Sequence, residues 1–295
     1  MAPHDQHLGI VVGVDGSASS TAAVEWAARD AAMRNVALRL VHAVPPGWWP
    51  LTVTPEMSQD HARQTIQDAH KVAVEAAAGR GDLQIDSEIV EAPIVPALVN
   101  LSTEADMVVV GCRGQGAVAR ALLGSVSSNL VHHAHCPVAV IHDEDPPTTT
   151  SSQAPVVVGI DGSPVSELAT EIAFDEASRR GVGLVALHAW SDMGPLDFGA
   201  FGRAPIEWAN FKVSEEETLA ERLAGWRERY PDVSVHPIVV SDRPTPRLLE
   251  QAETAQLVVV GSHGRGGFAG MLLGSVSGAI VNAAQIPVIV ARMPR

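Results

Sequence analysis

The sequence has few cysteines and no long apolar run. Cys112 and Cys136 are its only cysteines, and because the second half has none, a shared disulfide framework is excluded and a reducing compartment is indicated. No apolar run reaches the roughly 20 residues of a membrane-spanning helix. Residues 1–7 lack the basic segment and apolar core of a secretory signal. These absences predict a cytoplasmic protein without a membrane span.

Basic residues are also scarce. Twenty Lys and Arg stand against 34 Asp and Glu, a formal net charge of −14, and the lysines are Lys71 and Lys212 alone. Such a balance argues against general affinity for nucleic acid or anionic membranes. An anionic ligand must therefore be held by local donors and dipoles.

Several familiar site motifs are missing. There is no Gly-x4-Gly-Lys-Ser/Thr, which makes a P-loop NTPase unlikely, and no Ser-Gly-Gly-x-Asp-Ser of adenylating enzymes. Gly114-x-Gly116-x-x-Ala119 mimics a dinucleotide fingerprint, but it does not follow the first strand. The cluster 132–136, His-His-Ala-His-Cys, has no counterpart in the second half, and neighbours in sequence do not easily converge on one ion.

What the chain does contain is an internal repeat. The segment 11–17, Val-Val-Gly-Val-Asp-Gly-Ser, returns as 157–163, Val-Val-Gly-Ile-Asp-Gly-Ser. The segment 108–114 returns at 258–264 with its glycines and its apolar run preserved. Two homologous units therefore lie head to tail, and their comparison shows which residues both copies keep.

Each unit alternates apolar strands with helices, which indicates a parallel sheet covered on both faces. We predict an α/β fold of two tandem doubly wound, five-stranded parallel-sheet domains, Rossmann-like, over residues 1–143 and 155–295 with a linker at 144–154. Helices are predicted over 21–34, capped by Ser19 or Ser20, and over 96–103 and 125–133. Strands are predicted at 8–14, 36–44, 83–90, 107–110 and 137–142, and near 156–160, 183–189, 233–240, 256–260 and 287–291.

After the fourth strand, each unit carries Gly-x2-Gly-x9-Gly-Ser. Glycines let a backbone approach a ligand closely, and successive N–H groups in such a loop form a concave nest for phosphate. The following helix start adds unpaired N–H groups and a positive dipole end. Alternatively, the glycines only make a tight connection, but two copies with identical spacing favour a binding site. The motif residues are Gly111, Gly114, Gly124 and Ser125, then Gly261, Gly264, Gly274 and Ser275.

Acidic and basic residues accompany both loops. Asp15 and Asp161 end the first strands, where they serve either as turn residues or as ligands for a hydroxyl group or a metal; both roles stay open. Arg113 of the first loop forms charge-assisted bonds to phosphate at any pH, whereas His263 does so strongly only when protonated. Arg265 is positioned to compensate, so we expect the two sites to differ in affinity, unless these are solvated loop charges.

These motifs resemble those of the universal stress proteins, and a tandem member in particular: the Asp turn, the glycine signature and the closing Pro-Val-x-Val strand recur in both units. The resemblance implies an adenine nucleotide alpha hydrolase-like fold and, because the signature is intact, membership of the ATP-binding branch. ATP, with or without Mg²⁺, is the implied cofactor. By position, the implied binding residues are Gly13, Asp15, Ala43, Gly111, Arg113, Gly114, Gly124, Ser125, Val126 and Ser127 in the first unit. In the second unit they are Gly159, Asp161, Ala189, Gly261, His263, Gly264, Arg265, Gly274, Ser275, Val276 and Ser277.

Three functions remain open from the sequence. The first is a nucleotide-dependent regulator of the stress response or of growth, which acts on an unidentified protein partner. The second is a slow ATP hydrolase or phosphotransferase, for which no duplicated Glu, His or Lys lies near the loops, so at most weak ATPase activity is expected. The third is an interaction module. The short strands that begin at Pro137 and Pro287 would be apolar edges in need of cover, so we expect a homodimer through them.

Overall fold

The computed structural model describes residues 7–46, 54–114, 123–142, 153–190, 205–265 and 273–293. The chain divides into two compact units, residues 1–144 with 292–295 and residues 145–291. Most of the linker predicted at 144–154 lies outside the described residues.

The first unit alternates strands and helices. Its elements are β1 (Ile10–Gly13), α1 (Ala18–Arg34), β2 (Leu38–Ala43), α2 (Pro55–Ala77), β3 (Ile85–Val90), α3 (Ile94–Leu101), β4 (Met107–Gly111), α4 (Ser125–His133) and β5 (Val138–Ile141).

The second unit repeats this order. Its elements are β6 (Val156–Gly159), α5 (Pro164–Arg180), β7 (Leu184–Ala189), α6 (Pro205–Arg229), β8 (Val235–Val240), α7 (Pro244–Ala252), β9 (Leu257–Gly261), α8 (Ser275–Ala283) and β10 (Val288–Ala291).

Within each unit the strands are parallel. They are ordered β3-β2-β1-β4-β5 in the first unit and β8-β7-β6-β9-β10 in the second. Successive strands run outward in one direction from β1 to β3, and in the other direction from β4 to β5. This reversal creates a crevice beyond the carboxyl ends of β1 and β4, and of β6 and β9, where ligands bind in doubly wound folds. The predicted fold class is confirmed.

The helix α1 begins earlier than predicted. Its N-cap is Ser17, whose hydroxyl accepts a hydrogen bond from the N–H of Ser20 at 3.2 Å, so the cap predicted at Ser19 or Ser20 was wrong. The cause is the turn at Gly16, which has φ of 79° and redirects the chain immediately after the strand. The same arrangement holds in the second unit, where Ser163 caps α5.

The helix α3 also differs from its predicted bounds. It begins at Ile94 rather than Pro96 and ends at Leu101. Pro96 stands in the first turn, where a helix tolerates the missing N–H. The predicted strands are confirmed, although most are shorter than predicted.

The sheets form the cores of the units. Most residues of β1, β4, β6 and β9 are fully buried, and helices cover both faces. In the first unit α1 packs against α2, while α3 packs against α4. Within the described ranges, no helix combines the length and the apolar character that crossing a membrane requires.

Candidate functional site

A short turn after β1 holds the Asp15 carboxylate in place. Its Oδ1 accepts hydrogen bonds from the N–H of Ser17 at 2.9 Å and from the Ser17 hydroxyl at 2.6 Å. The N–H of Asp15 donates to the Ser20 hydroxyl at 3.1 Å. One carboxylate oxygen therefore serves the turn, as the turn-residue alternative proposed.

The other carboxylate oxygen points towards the glycine loop. A Cβ placed on Gly114 would lie 2.7 Å from Asp15 Oδ2, so only glycine leaves room for the carboxylate there. In the second unit, Asp161 Oδ2 crowds Gly264 in the same way and accepts a hydrogen bond from the N–H of Arg265 at 3.0 Å. The aspartate thus joins the turn after the first strand to the loop after the fourth.

The remaining signature glycines permit close approach of backbone segments. A Cβ on Gly111 would lie 2.6 Å from the carbonyl carbon of Ser19, at the start of α1. A Cβ on Gly124 would lie 3.0 Å from the carbonyl oxygen of Cys112, which already accepts the N–H of Gly124 at 2.7 Å. These glycines therefore let the loop pack closely against neighbouring backbone, and they also leave its N–H groups accessible to a ligand.

In each unit, one buried serine connects the loop to the helix that follows it. The Ser127 hydroxyl donates to the carbonyl oxygens of Cys112 and Gly124, both at 3.0 Å. The Ser277 hydroxyl does the same towards Ser262 and Gly274 at 2.9 and 3.1 Å. Both serines are among the implied binding residues, and in the structure their hydroxyls donate to backbone carbonyls. Ser125 and Ser275, by contrast, are exposed at the helix starts.

The starts of α4 and α8 carry no side-chain cap. Gly124 and Gly274 are their N-caps and make no side-chain hydrogen bond, whereas Ser17 and Ser163 cap α1 and α5. A helix start without a cap presents its first N–H groups and its positive dipole end to whatever lies in front. Here that space is the crevice.

The crevice of each unit forms a cavity, of about 360 Å³ in the first and about 530 Å³ in the second. Both volumes fall in the range typical of small-molecule sites. Every predicted residue lines its cavity. In the first these are Gly13, Asp15, Ala43, Gly111, Arg113, Gly114, Gly124, Ser125, Val126 and Ser127. In the second they are Gly159, Asp161, Ala189, Gly261, His263, Gly264, Arg265, Gly274, Ser275, Val276 and Ser277.

The cationic groups at the two loops differ, as the sequence indicated. Arg113 lines the first cavity and is partly exposed. In the second cavity, His263 Nδ1 contacts the Ser262 hydroxyl at 3.1 Å, and Arg265 is exposed. The described basic side chains at the loops are thus one guanidinium in the first unit, and an imidazole and a guanidinium in the second.

One histidine that lines each cavity was not predicted from the sequence. Nδ1 of His42 lies 2.7 Å from the carbonyl oxygen of Val14, and Nδ1 of His188 lies 2.6 Å from that of Ile160. Their repetition at the ends of β2 and β7 was the available signal. Glu215 also lines the second cavity, and no repeated residue marks it. Among the described residues, no three His, Cys, Asp or Glu side chains are grouped closely enough to hold a metal ion.

Comparison with known families gives a match in both units. The profile of the universal stress protein family matches residues 9–142 and again residues 154–292. Universal stress protein Rv1996 of Mycobacterium tuberculosis is 61% identical, over 100% of this chain and 98% of its own length. Universal stress protein Rv2005c of the same organism is 54% identical over 98% of each chain.

A solved structure shares the fold of the whole chain. The crystal structure of a universal stress protein from Archaeoglobus fulgidus superposes with a TM-score of 0.66 at 21% identity, and the match covers 97% of this chain and 99% of that chain. At this identity the likeness concerns the fold alone.

Proposed function

We propose that this chain, which belongs to the universal stress protein family, binds one ATP in each of its two cavities and acts as a nucleotide-dependent regulator of the stress response or of growth. The observation that carries the proposal is that all the signature residues of each unit line one cavity, around an uncapped helix start.

The cavity chemistry suits a polyphosphate attached to a nucleoside. The loop from Gly111 to Gly114 and the first turn of α4 provide backbone N–H groups and a dipole for phosphates, a combination that works even in an acidic protein. The Asp15 carboxylate is a ready acceptor for ribose hydroxyls. Ala43 lines the cavity at the end of β2, on the side of β1 away from the glycine loop, and its main chain would meet the edge of the adenine. The second unit offers the corresponding groups.

An accompanying Mg²⁺ would depend mainly on the phosphates. Mg²⁺ in nucleotide sites takes one or two carboxylates together with phosphate oxygens. Asp15 Oδ1 already accepts hydrogen bonds from the N–H and the hydroxyl of Ser17. Both oxygens of Asp161 accept backbone N–H groups. Neither aspartate is therefore expected to be the principal ligand of the ion.

A binding and signalling role suits these cavities better than fast hydrolysis. Rapid phosphoryl transfer needs a cation at the γ-phosphate and a group that orients the attacking nucleophile. The described basic side chains at the loops, Arg113, His263 and Arg265, are expected to hold the phosphates. His42 and His188, which line the cavities on the other side, are each engaged with a backbone carbonyl through Nδ1. The two lysines of the chain pair with carboxylates on α2 and α6 instead.

The test is to close each site separately with charge. Ser125→Asp and Ser275→Asp each place a carboxylate at a helix start, where the dipole favours it and the fold is preserved. The same carboxylate repels phosphate. Calorimetric titration with ATP is expected to give two equivalents bound per wild-type chain, one for each single variant and none for the double variant.

Ser125→Asn and Ser275→Asn are the matched controls, because they keep the shape of Asp without its charge. They are expected to retain both sites with affinities within about threefold of wild type, a difference of less than about 1 kcal/mol in the free energy of binding. A wild-type protein that binds no ATP, or Asp variants that bind as wild type does, would refute the proposal.

A further inference from the structure

The second cavity contains a side-chain pair that has no counterpart among the described residues lining the first. Nε2 of the buried His188 lies 3.0 Å from Oε2 of Glu215, and both residues line the cavity. The Glu215 side chain retains 29% exposure, whereas that of His188 retains 6%. The Glu215 carboxylate is therefore held by His188 and remains partly exposed in the cavity.

The hydrogen bonding of His188 holds Glu215 in place. A carbonyl oxygen only accepts, so the 2.6 Å contact with Ile160 requires that Nδ1 donates, which fixes the orientation of the ring. Nε2 of this ring lies 3.0 Å from Oε2 of Glu215. Because Glu215 lines the cavity, its carboxyl group offers acceptor oxygens to a ligand there.

The first unit has a different residue at this position. The following strands, β3 and β8, begin 150 residues apart, and the buried helix positions Ala69 and Ala73 correspond to Leu219 and Leu223 at the same spacing. The counterpart of Glu215 is therefore Thr65, a buried hydroxyl residue. Thr65 is not among the described residues that line the first cavity, and no glutamate is among them either.

Glu215 lies on the side of the cavity opposite the phosphate-binding loop. In the second unit β6 stands between β7 and β9. The glycine loop and α8 follow β9, whereas the imidazole that holds Glu215 projects from β7, next to Ala189. A nucleotide with its phosphates on the β9 side would reach the β7 side with its base.

We propose that Glu215, held by His188, is a specificity-determining residue of the second cavity: it accepts a hydrogen bond from the exocyclic amino group of the base. It thereby selects an aminopurine over the corresponding oxopurine, whose carbonyl oxygen would face the carboxylate lone pairs. This inference rests on the proposed nucleotide binding. It predicts that the two sites of one chain differ in base selectivity.

The test compares ATP with inosine triphosphate, which carries oxygen in place of the amino group. The full-length Ser125→Asp protein reports the second site alone. In that background, Glu215→Gln is expected to reduce the preference for ATP over inosine triphosphate about tenfold, the value of one hydrogen bond to a charged group. The reason is that the glutamine amide can donate to the oxo group.

Two controls separate selectivity from a general effect. Glu217→Gln makes the same chemical change at an exposed position two residues further along α6, and it should leave the preference unchanged. In the Ser275→Asp protein, which reports the first site, Glu215→Gln should also have no effect on the ratio of the two dissociation constants.

The outcomes are distinguishable. If the Ser125→Asp protein binds ATP but Glu215→Gln leaves the ratio unchanged, or weakens both nucleotides equally, the role of Glu215 is refuted and nucleotide binding stands. If that protein binds no ATP, the proposed function fails at this site and the selectivity inference fails with it.

Discussion

At the residue scale, the sites depend on positions where a side chain is missing. Gly114 and Gly264 face the carboxylates of Asp15 and Asp161, and each glycine makes room for the oxygen that joins turn and loop. The glycines of the signature therefore serve two purposes, because they leave backbone N–H groups open to a ligand and let the loop pack against the aspartate.

The first prediction concerns Gly114→Ala. Its Cβ would lie 2.7 Å from Asp15 Oδ2, so the carboxylate or the loop must move. Because the loop backbone is expected to hold phosphate, ATP affinity of the first site should fall about tenfold, a loss of about 1.4 kcal/mol. Calorimetry in the Ser275→Asp protein measures it.

Gly225→Ala is the control for this substitution. Gly225 lies in α6 with open space around its Cα, so alanine there should raise the free energy of unfolding by up to about 1 kcal/mol and leave binding as it is. Wild-type affinity in Gly114→Ala would show that the contact between Asp15 and the loop does not shape the site.

The second prediction concerns the thiol of Cys136. Burial, reinforced by the nearby Asp106 carboxylate, raises the pKa of Cys136 to about 12. The thiolate is the reactive form, so at pH 8 its fraction should lie roughly a thousandfold below that of an unfolded cysteine, whose pKa is about 8.5. Cys136 should resist iodoacetamide until urea unfolds the protein, as peptide mass spectrometry would show. Rapid alkylation in native buffer would contradict this.

At the element scale, the helix that follows the first strand of each unit contains a buried ion pair. Arg34 Nε contacts Asp30 Oδ2 at 2.7 Å in α1, and Arg180 Nε contacts Glu176 Oε2 at 2.8 Å in α5. The acidic side chains are 1% and 0% exposed. A buried pair contributes little net stability, but the removal of one partner leaves an uncompensated charge.

The third prediction follows from this burial. Asp30→Ala should lower the free energy of unfolding by about 3–5 kcal/mol. Glu25→Ala breaks an exposed pair with Arg29 in the same helix and should cost at most about 1 kcal/mol. Urea denaturation followed by circular dichroism measures both. Equal losses for the two variants would contradict the assigned difference in burial.

The elements show what local sequence can and cannot indicate. Most strands were predictable because they are short apolar runs that end at a turn, as β4 ends at Gly111, whereas β3 mixes apolar and polar residues. The start of α1 was not, because Ser17, Ser19 and Ser20 are all plausible caps and only the Gly16 turn decides among them. The pair of Asp30 and Arg34 was hidden as well, since its spacing is equally typical of a solvated helix face.

At the scale of the whole molecule, duplication identified most of the candidate site residues. Pairs such as Asp15 and Asp161 recur in both copies, so each copy acts as an alignment for the other, and all the predicted residues line the two cavities. That they bind a nucleotide stays a prediction. The same reasoning could not find Glu215, since Thr65 replaces it in the first unit. Differences between the copies are invisible to a search for repeated residues, although they determine how the two sites diverge.

The fourth prediction is that the two sites bind ATP with unequal affinity. The second cavity is larger, and it carries His263 and Arg265 where the first carries Arg113. Among the described residues, the second loop offers two basic side chains to the phosphates and the first offers one, so the Ser125→Asp protein should bind ATP more tightly than the Ser275→Asp protein. Calorimetry compares the two dissociation constants, and equal values would contradict this prediction.

The central claim is that two phosphate-binding cavities exist in one acidic chain. Native mass spectrometry of the full-length protein, titrated with ATP, tests it most directly. The account predicts two nucleotides per chain at saturation and none in the Ser125→Asp, Ser275→Asp double variant. A wild-type chain that remains free of nucleotide at millimolar ATP would contradict it.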